Sequence, residues 1–378
     1  MKKKYLFFIS LLILFVVGLI FYNHFKVDNV YEEENLNNSN NINKGISMNL
    51  EQTAGAGDYK LVTQSEWPTD GYIFNSELSK CENGSTLSWD DTKKSVIMQG
   101  NVSDKCYVYF DIYHPLLTEY VMSQYTGTQG DNGIYYHNST LTNGAGDNSY
   151  RYAGANPNNY VCFGSSESIC PDANLFRIIG VFENQVKVIR VKSESSQMWN
   201  KSVSNTWSTS GLNTYLNGTY LTSLGNLSDK IAITTWKVGG NIHENIVKVT
   251  PSVAFQNEII GTAESATFNA KIGLMYVTDY YYAASPSAWT LVGYNESDAT
   301  KDYRAATSVN WLYLRNHEWT ITRVSDNSQT VFLVGAEGNT FSYLAFDLEC
   351  EVRPTFSLEP SVTYVSGSGT MDNPIRIS

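Results

Sequence analysis

Residues 174–191 read NLFRIIGVFENQVKVIRV, and this stretch decides the fold. Its first half, residues 175–182, is almost entirely apolar, whereas residues 185–188 alternate apolar with polar side chains. A continuous apolar run is typical of a strand buried on both faces, and alternation of a strand buried on one face. The Glu-Asn link at residues 183–184 has the length of a tight hairpin turn, and Asn tolerates the left-handed backbone of such turns. We predict a central hairpin that serves as scaffold, with Lys187 on its polar side.

The composition indicates an extracellular protein and argues against a nucleic-acid partner. Only 17% of the 378 residues are charged, 13% are aromatic, and the formal net charge is −11. Phosphate binding needs a clustered basic surface, which an acidic chain with few cations does not offer. We therefore expect no nucleic-acid partner.

The first 26 residues predict an anchor in the cell membrane. Three lysines precede an apolar run at residues 5–22, which is close to the length that spans a bilayer. The basic flank stays in the cytoplasm by the positive-inside rule, so the bulk of the chain lies outside. Neither a small-x-small cleavage site nor a lipid-accepting Cys follows the run. We expect an uncleaved single-pass signal-anchor, with secretion after cleavage of a signal peptide as the alternative.

Two segments separate the anchor from the main domain. Residues 27–57 are rich in Asn and poor in large apolar side chains, which predicts a disordered linker. Residues 58–113 contain five short apolar or alternating segments with turn-rich joints, which predicts a small all-β, immunoglobulin-like module. Cys81 and Cys106 bracket its middle and are candidates for a disulfide, with two free thiols as the alternative.

Residues 114–378 are predicted to form an α+β domain with long loops. The spacing of apolar residues predicts amphipathic helices at residues 116–124 and 208–224. Predicted strands follow the central hairpin at residues 231–237, 246–249, 272–277, 319–324, 331–334 and 351–358.

An ordered series of motifs in this domain resembles a known family. The motifs are SYRYAGANPNNYVCFG (149–164), CPDANLFRIIGVF (170–182), IGLMYVTDYYYA (272–283), EWTITR (318–323), EVRPTFSL (351–358) and SGSGTMDNPIRI (366–377). They resemble exported proteins of Firmicutes that carry a domain of unknown function of the Trp-Leu-Arg-Ser…Val-Arg-Pro type. The chain departs from the first part of that pattern, because Trp311-Leu312 is followed by Tyr313-Leu314-Arg315-Asn316.

The family pattern is in turn similar to the C-type-lectin-like and formylglycine-generating-enzyme folds. This resemblance implies a C-type-lectin-like α+β domain in which the closing Arg is structural. Carried over to Arg353, it implies a buried or half-buried cation paired with a carboxylate such as Asp279.

The remaining cysteines and histidines do not suggest a reactive centre. Cys162 and Cys170 lie in one Gly-Ser loop, and their spacing favours a disulfide over a redox site. Cys350 is left over and is expected to be a buried thiol. The chain contains neither a His-Glu-x-x-His motif nor a sugar-binding calcium motif of the lectin type, so we expect no metal and no cofactor.

Aromatic side chains in the loops around the hairpin are the candidate ligand contacts, because exposed rings stack on sugars or anchor protein partners. These candidates are Tyr150, Tyr152, Tyr280, Tyr281, Tyr282 and Trp289. We expect a cell-surface protein that binds a carbohydrate or protein ligand and is not an enzyme. The alternatives are a structural component of the envelope and, third, an enzyme, which would need a cleft with converging ionisable groups.

Overall fold

A computed structural model describes residues 45–63, 67–68, 71–101, 103–127, 130–262 and 266–378. The chain divides into two compact units, Met1–His114 and Pro115–Ser378. The predicted signal-anchor and residues 27–44 of the predicted linker lie outside the described residues. Within the described ranges, no helix has the length and apolar character needed to cross a membrane.

The smaller unit is built from short strands. They are β1 (Gly45–Glu51), β2 (Tyr59–Val62), β3 (Tyr72–Phe74), β4 (Lys80–Cys81), β5 (Thr86–Asp90), β6 (Ser95–Gln99) and β7 (Lys105–Ile112). Strand β1 falls inside the predicted linker, so that prediction is wrong for its last part. The reason is packing, since Met48 and Leu50 are buried against Val108 and Phe110 of β7.

The predicted immunoglobulin-like sandwich is wrong. The unit has one five-stranded sheet with the order β2-β1-β7-β3, in which β4 also pairs with β7, and a separate β5–β6 hairpin. Strands β1 and β7 run parallel, while their other neighbours are antiparallel. The five-stranded sheet is therefore mixed, whereas an immunoglobulin-like sandwich is built from two antiparallel sheets.

The larger unit mixes strands with short helices along the chain. Its strands are β8 (Gly133–Tyr136), β9 (Tyr150–Ala153), β10 (Tyr160–Cys162), β11 (Leu175–Phe182), β12 (Gln185–Arg190), β13 (Ser195–Met198), β14 (Thr234–Lys237), β15 (Thr267–Ala270), β16 (Ile272–Gly273), β17 (Glu318–Arg323), β18 (Thr330–Val334), β19 (Thr340–Leu344), β20 (Glu349–Val352), β21 (Thr355–Ser357), β22 (Tyr364–Ser366) and β23 (Ile375–Ile377). Its α-helices are α1 (Leu117–Ser123), α2 (Gly211–Tyr215), α3 (Leu221–Ser223), α4 (His243–Ile246), α5 (Pro251–Phe255) and α6 (Val277–Tyr282). Segments Leu216–Tyr220 and Gln256–Ile260 are π-helical, and 3₁₀ turns occupy Asp172–Asn174, Trp207–Thr209, Gly225–Lys230, Pro286–Thr290, Ala299–Lys301 and Tyr303–Val309.

The predicted central hairpin is confirmed. Strands β11 and β12 pair antiparallel, and both turn residues have positive φ, 46° at Glu183 and 65° at Asn184. Two consecutive positive φ values define the type I′ turn that matches the twist of hairpin strands. Strand β12 differs from the prediction because it is also buried on both faces, and Lys187 is only 7% exposed.

The hairpin lies in the middle of a nine-stranded sheet. Seven of its strands have the order β16-β21-β12-β11-β10-β23-β22, and the other two are β9, which pairs with β11, and β8, which pairs with β9. A five-stranded sheet, β13-β20-β17-β18-β19, and the β14–β15 pair complete the unit. The described residues are therefore mixed sheet and helix, 35% strand and 21% helical, and the predicted fold class, an α+β chain with an immunoglobulin-like module and a C-type-lectin-like domain, is wrong. The anchor helix of that prediction lies outside the described residues.

Several local predictions are confirmed and others are wrong. The helix predicted at 116–124 is α1, and the helix predicted at 208–224 is the continuous run of α2, a π-helical turn and α3. The strand predicted at 246–249 is wrong, because α4 ends at Ile246. The strand predicted at 272–277 stops at Gly273, and the one at 351–358 is broken at Arg353-Pro354. Short apolar runs do not distinguish a strand from a buried turn of helix.

Both predicted disulfides, Cys81–Cys106 and Cys162–Cys170, are present. Cys350 is a buried free thiol, as predicted. Because disulfides persist in oxidising compartments, the pair of bonds indicates an extracellular location.

Candidate functional site

A cleft of about 220 Å³ opens in the larger unit around Lys187 of β12, and we call it the Lys187 cleft. Its walls come from strands β9, β12 and β14, from the start of α6 and from the α5 region. Charged side chains of both signs line it: Asp147, Arg151, Glu183, Lys187, Lys237 and Asp279. Four aromatic side chains also line the cleft: Phe182 and Tyr276 are half-buried, whereas Trp236 and Phe255 are buried.

Lys187 and Asp279 form a buried ion pair at the centre of the cleft. The Lys187 Nζ lies 2.5 Å from the Asp279 Oδ2, and the two side chains are 9% and 3% exposed. The same Oδ2 accepts a hydrogen bond from the backbone N–H of Tyr276 at 2.8 Å, which holds the carboxylate at the first turn of α6. The register of β12 places Lys187 here, opposite Ser357 of β21.

Aromatic rings surround the Lys187 ammonium. Its Nζ lies 4.6 Å from the ring centre of Tyr276, 5.5 Å from Trp236 and 5.6 Å from Phe182. Rings at this distance attract a cation through their negative faces while excluding water. Burial is the main cause that lowers the pKa of Lys187, and the negative charge of Asp279 opposes it.

Arg151 of β9 is the second buried cation, and it is 2% exposed. Its Nη2 donates to Asp147 Oδ2 at 2.6 Å and its Nε donates to Ser149 Oγ at 2.8 Å. Its Nη1 lies 3.8 Å from Asp279 Oδ1, and this nitrogen makes no hydrogen bond to any described residue. Arg151 therefore links the turn at Asp147 to the Lys187–Asp279 pair, and its Nη1 remains able to donate a hydrogen bond to another group.

Glu258 is a further buried carboxyl group in this region, in the π-helical segment after α5. It is 1% exposed and accepts hydrogen bonds from the backbone N–H groups of Val277 and Thr278, at 3.1 and 3.0 Å. The hydroxyl groups of Thr278 and Thr322 also donate to it. These donors lower the pKa of Glu258, but burial is the larger effect and raises it.

The accessible part of the cleft is polar. Glu183 is exposed, Gln185 and Lys237 are half-buried, and the side chains of these three residues make no hydrogen bond or ion pair in the part of the chain that the structure describes. The exposed Thr235 donates its hydroxyl to the side-chain oxygen of Asn269 at 2.9 Å. The Thr234 hydroxyl in the wall is buried and has no hydrogen-bond partner among the described residues. A buried polar atom without a partner points to a ligand or water that supplies one.

Most of the aromatic candidates lie in the core and cannot present a ring to a ligand. Tyr280, Tyr281 and Trp289 are 0% exposed and Tyr282 is 1% exposed. Their polar atoms are also used, since Tyr280 donates to the Gly338 carbonyl at 2.8 Å and the Trp289 indole donates to the Ala284 carbonyl at 3.0 Å. The expectation of exposed rings is therefore wrong for these four residues, because α6, which carries the three tyrosines, and the 3₁₀ turn at Pro286–Thr290, which carries Trp289, both pack into the core.

The other two candidates lie on β9, outside the Lys187 cleft. Tyr150 is half-buried, and its ring stacks on Tyr136 with 4.6 Å between centres. Tyr152 is 3% exposed, and its hydroxyl has no hydrogen-bond partner among the described residues. Tyr152 also lines a second, polar cleft of about 220 Å³ together with the amides of Asn132 and Asn156. Neither ring is free to stack on a sugar at the surface.

The structure confirms a buried ion pair at Arg353 but with another partner. Arg353 is 3% exposed, and its Nε and Nη2 donate to the two carboxylate oxygens of Glu318 at 2.6 and 2.8 Å. Its Nη2 also donates to the Leu312 carbonyl at 2.7 Å. Asp279, the partner that the resemblance implied, pairs with Lys187 instead.

Sequence reasoning missed the central residues of the cleft. Lys187 was placed on a solvent-facing side of the hairpin, and neither Arg151 nor Glu258 was a candidate. The available signal for Lys187 was a lysine in the second strand of a hairpin whose first strand is almost entirely apolar, since a lysine that becomes buried there needs a partner of opposite charge. Within the described ranges, no cluster of three or more His, Cys, Asp or Glu residues has the arrangement of a metal site.

Comparisons with protein-family models, with curated proteins and with solved structures found no match.

Proposed function

We propose that this chain is an extracellular protein that binds a carbohydrate in the Lys187 cleft. The observation that carries the proposal is one concave surface that combines charged and hydroxyl groups with the half-buried rings of Phe182 and Tyr276. A sugar ring offers hydroxyl groups that both donate and accept, and apolar C–H faces that pack on aromatic side chains. A bound sugar would supply hydrogen-bond partners for the Thr234 hydroxyl and for the Arg151 Nη1, which have none among the described residues.

The dimensions of the cleft favour a carbohydrate over a protein ligand. Its volume of about 220 Å³ lies below the roughly 300–1,000 Å³ of pockets for drug-sized molecules. A specific protein interface covers about 800 Å² on each partner, which a cleft of this size does not provide. We infer that the cleft takes a single small ligand or the terminal unit of a longer glycan.

The charge pairing in the cleft favours binding over catalysis. Asp279 already accepts from Lys187, and Asp147 already accepts from Arg151. A general base needs a lone pair directed at the substrate, whereas these two carboxylates are occupied by cations of the chain itself.

A glycan array probed with the full chain tests the proposal, followed by titration of the bound glycan against variants of the cleft. Gln185→Ala and Lys237→Ala each remove a polar side chain from the accessible part, so we expect affinity to fall roughly three- to tenfold. Gln329→Ala and Lys201→Ala are matched controls, because both residues are exposed outside the cleft. An array without binding, or cleft variants that bind as well as the controls, would refute the proposal.

We also propose that residues 5–22 anchor the chain in the cell membrane, with residues 45–378 outside. The support is the apolar run behind three lysines and the extracellular location that the disulfides indicate. After an alkaline carbonate wash of membranes, the intact chain should remain in the pellet. Recovery of most of the chain in the medium, with a new N-terminus after the apolar run, would contradict the anchor and support cleavage.

A further inference from the structure

The Lys187–Asp279 contact joins two elements that are 92 residues apart in the chain. The amine and the carboxyl group are held at 2.5 Å by a strand in the middle of the sheet and by the first turn of α6. Both side chains are more than nine-tenths buried, and three aromatic rings surround the amine. This short contact fits an ordinary buried ion pair. It also fits an amine and a carboxyl group that are positioned to condense to an amide.

We propose that Lys187 and Asp279 condense to an intramolecular isopeptide bond. The ammonium first gives one proton to the carboxylate oxygen that it touches, Oδ2. The neutral Nζ then attacks the Asp279 Cγ, so that a C–N bond forms. The bond from Cγ to Oδ2 breaks, and Oδ2 leaves as water with the proton it received and a second proton from Nζ. No oxidant, reductant or other reactant is needed.

The surroundings favour this reaction over a permanent ion pair. Burial lowers the pKa of Lys187, which makes its neutral amine more accessible. During the attack, negative charge develops on Asp279 Oδ1, and the Arg151 Nη1 lies 3.8 Å from that oxygen. A cation directed at an oxygen on which charge develops lowers the barrier. The cleft beside the pair gives the departing water an exit.

The bond would join the central hairpin to α6 covalently. Such a cross-link, added to the two disulfides, would resist unfolding outside the cell without depending on redox conditions. The inference is independent of the proposed carbohydrate ligand. The bond would remove one positive and one negative charge, while Gln185 and Lys237 would remain available for binding.

Peptide mapping of the reduced, denatured full chain tests the bond directly. Trypsin cuts after Lys and Arg, and an acylated Lys187 would resist it. We expect residues 178–190 joined to residues 272–301, at a mass about 18 Da below the sum of the two peptides because one water is lost. Free peptides 178–187 and 272–301 as the main products, from protein whose disulfides had formed, would overturn the proposal.

A conservative variant separates the covalent bond from a salt bridge. Lys187→Arg keeps a cation beside Asp279 but should show none of the joined peptide and should unfold at a lower temperature than the wild type. Lys237→Arg is the matched control, since this residue lines the same cleft without an ion pair among the described residues, and it should retain the joined peptide. The wild-type peptide map decides the matter even if Lys187→Arg does not fold.

Discussion

The burial of individual residues could be predicted in part, whereas their distant partners could not. The family resemblance implied that the closing Arg353 is buried with a carboxylate, and it is. Its partner Glu318 lies 35 residues away and is set by the parallel pairing of β17 with β20. Lys187 was misplaced because its alternation with valines indicates one buried face, whereas β12 is covered on both.

Replacing Arg353 with Met should destabilise the larger unit strongly. Glu318 would remain buried without a cation, and breaking a buried pair in this way costs about 3–5 kcal/mol. Denaturant unfolding measures the loss, with Arg315→Met as the control because Arg315 is exposed. Adding Glu318→Gln to Arg353→Met should restore part of the stability, since the unpaired charge is then gone.

The loss caused by Arg353→Met should also depend on pH. Burial already raises the pKa of Glu318, while Arg353 lowers it, so removal of Arg353 raises it further. A carboxyl group with a raised pKa in the folded state favours folding while it is protonated and loses this contribution as the pH rises. The deficit should therefore be smallest in acid and grow toward neutral pH. A deficit that is independent of pH would rule out the buried-charge explanation.

At the level of elements, the sequence predicted the strands and helices that have a long apolar pattern or that are joined by a recognisable turn motif. The hairpin was predicted because an apolar run, a turn that tolerates positive φ and a second run follow one another. Short segments were the failures, and β1 was assigned to a linker although its apolar residues pair with β7. Pairing with a distant strand determines such segments, and a local pattern does not contain that information.

Gly180 should be intolerant of a side chain because of its place in the hairpin. A Cβ at this position would lie 2.0 Å from the Tyr150 carbonyl oxygen of β9, at the irregularity between β11 and β12. Gly180→Ala should therefore cost about 1–3 kcal/mol through displacement of the backbone. Gly218→Ala is the control, since its Cβ would meet nothing within 4 Å and Ala favours a helix by up to about 1 kcal/mol. Equal stability of the two variants would contradict the close approach.

At the level of the whole molecule, the sequence indicated an extracellular chain with two disulfides but gave the wrong fold class. The Lys187 cleft could not be predicted, because its walls come from elements spread between Asp147 and Ser357. Arg151 and Lys187 come together with Asp279 only when α6 packs against the folded sheet. The loops around the hairpin were expected to carry the chemistry, whereas the hairpin itself supplies the central residue of the cleft.

The structure of the full chain with a glycan selected on the array is the most direct test of the account. We predict that the sugar occupies the Lys187 cleft, with its ring against Phe182 or Tyr276 and its hydroxyl groups within hydrogen-bond distance of Gln185 or Lys237. A sugar bound at another surface while the cleft contains only water would contradict the account.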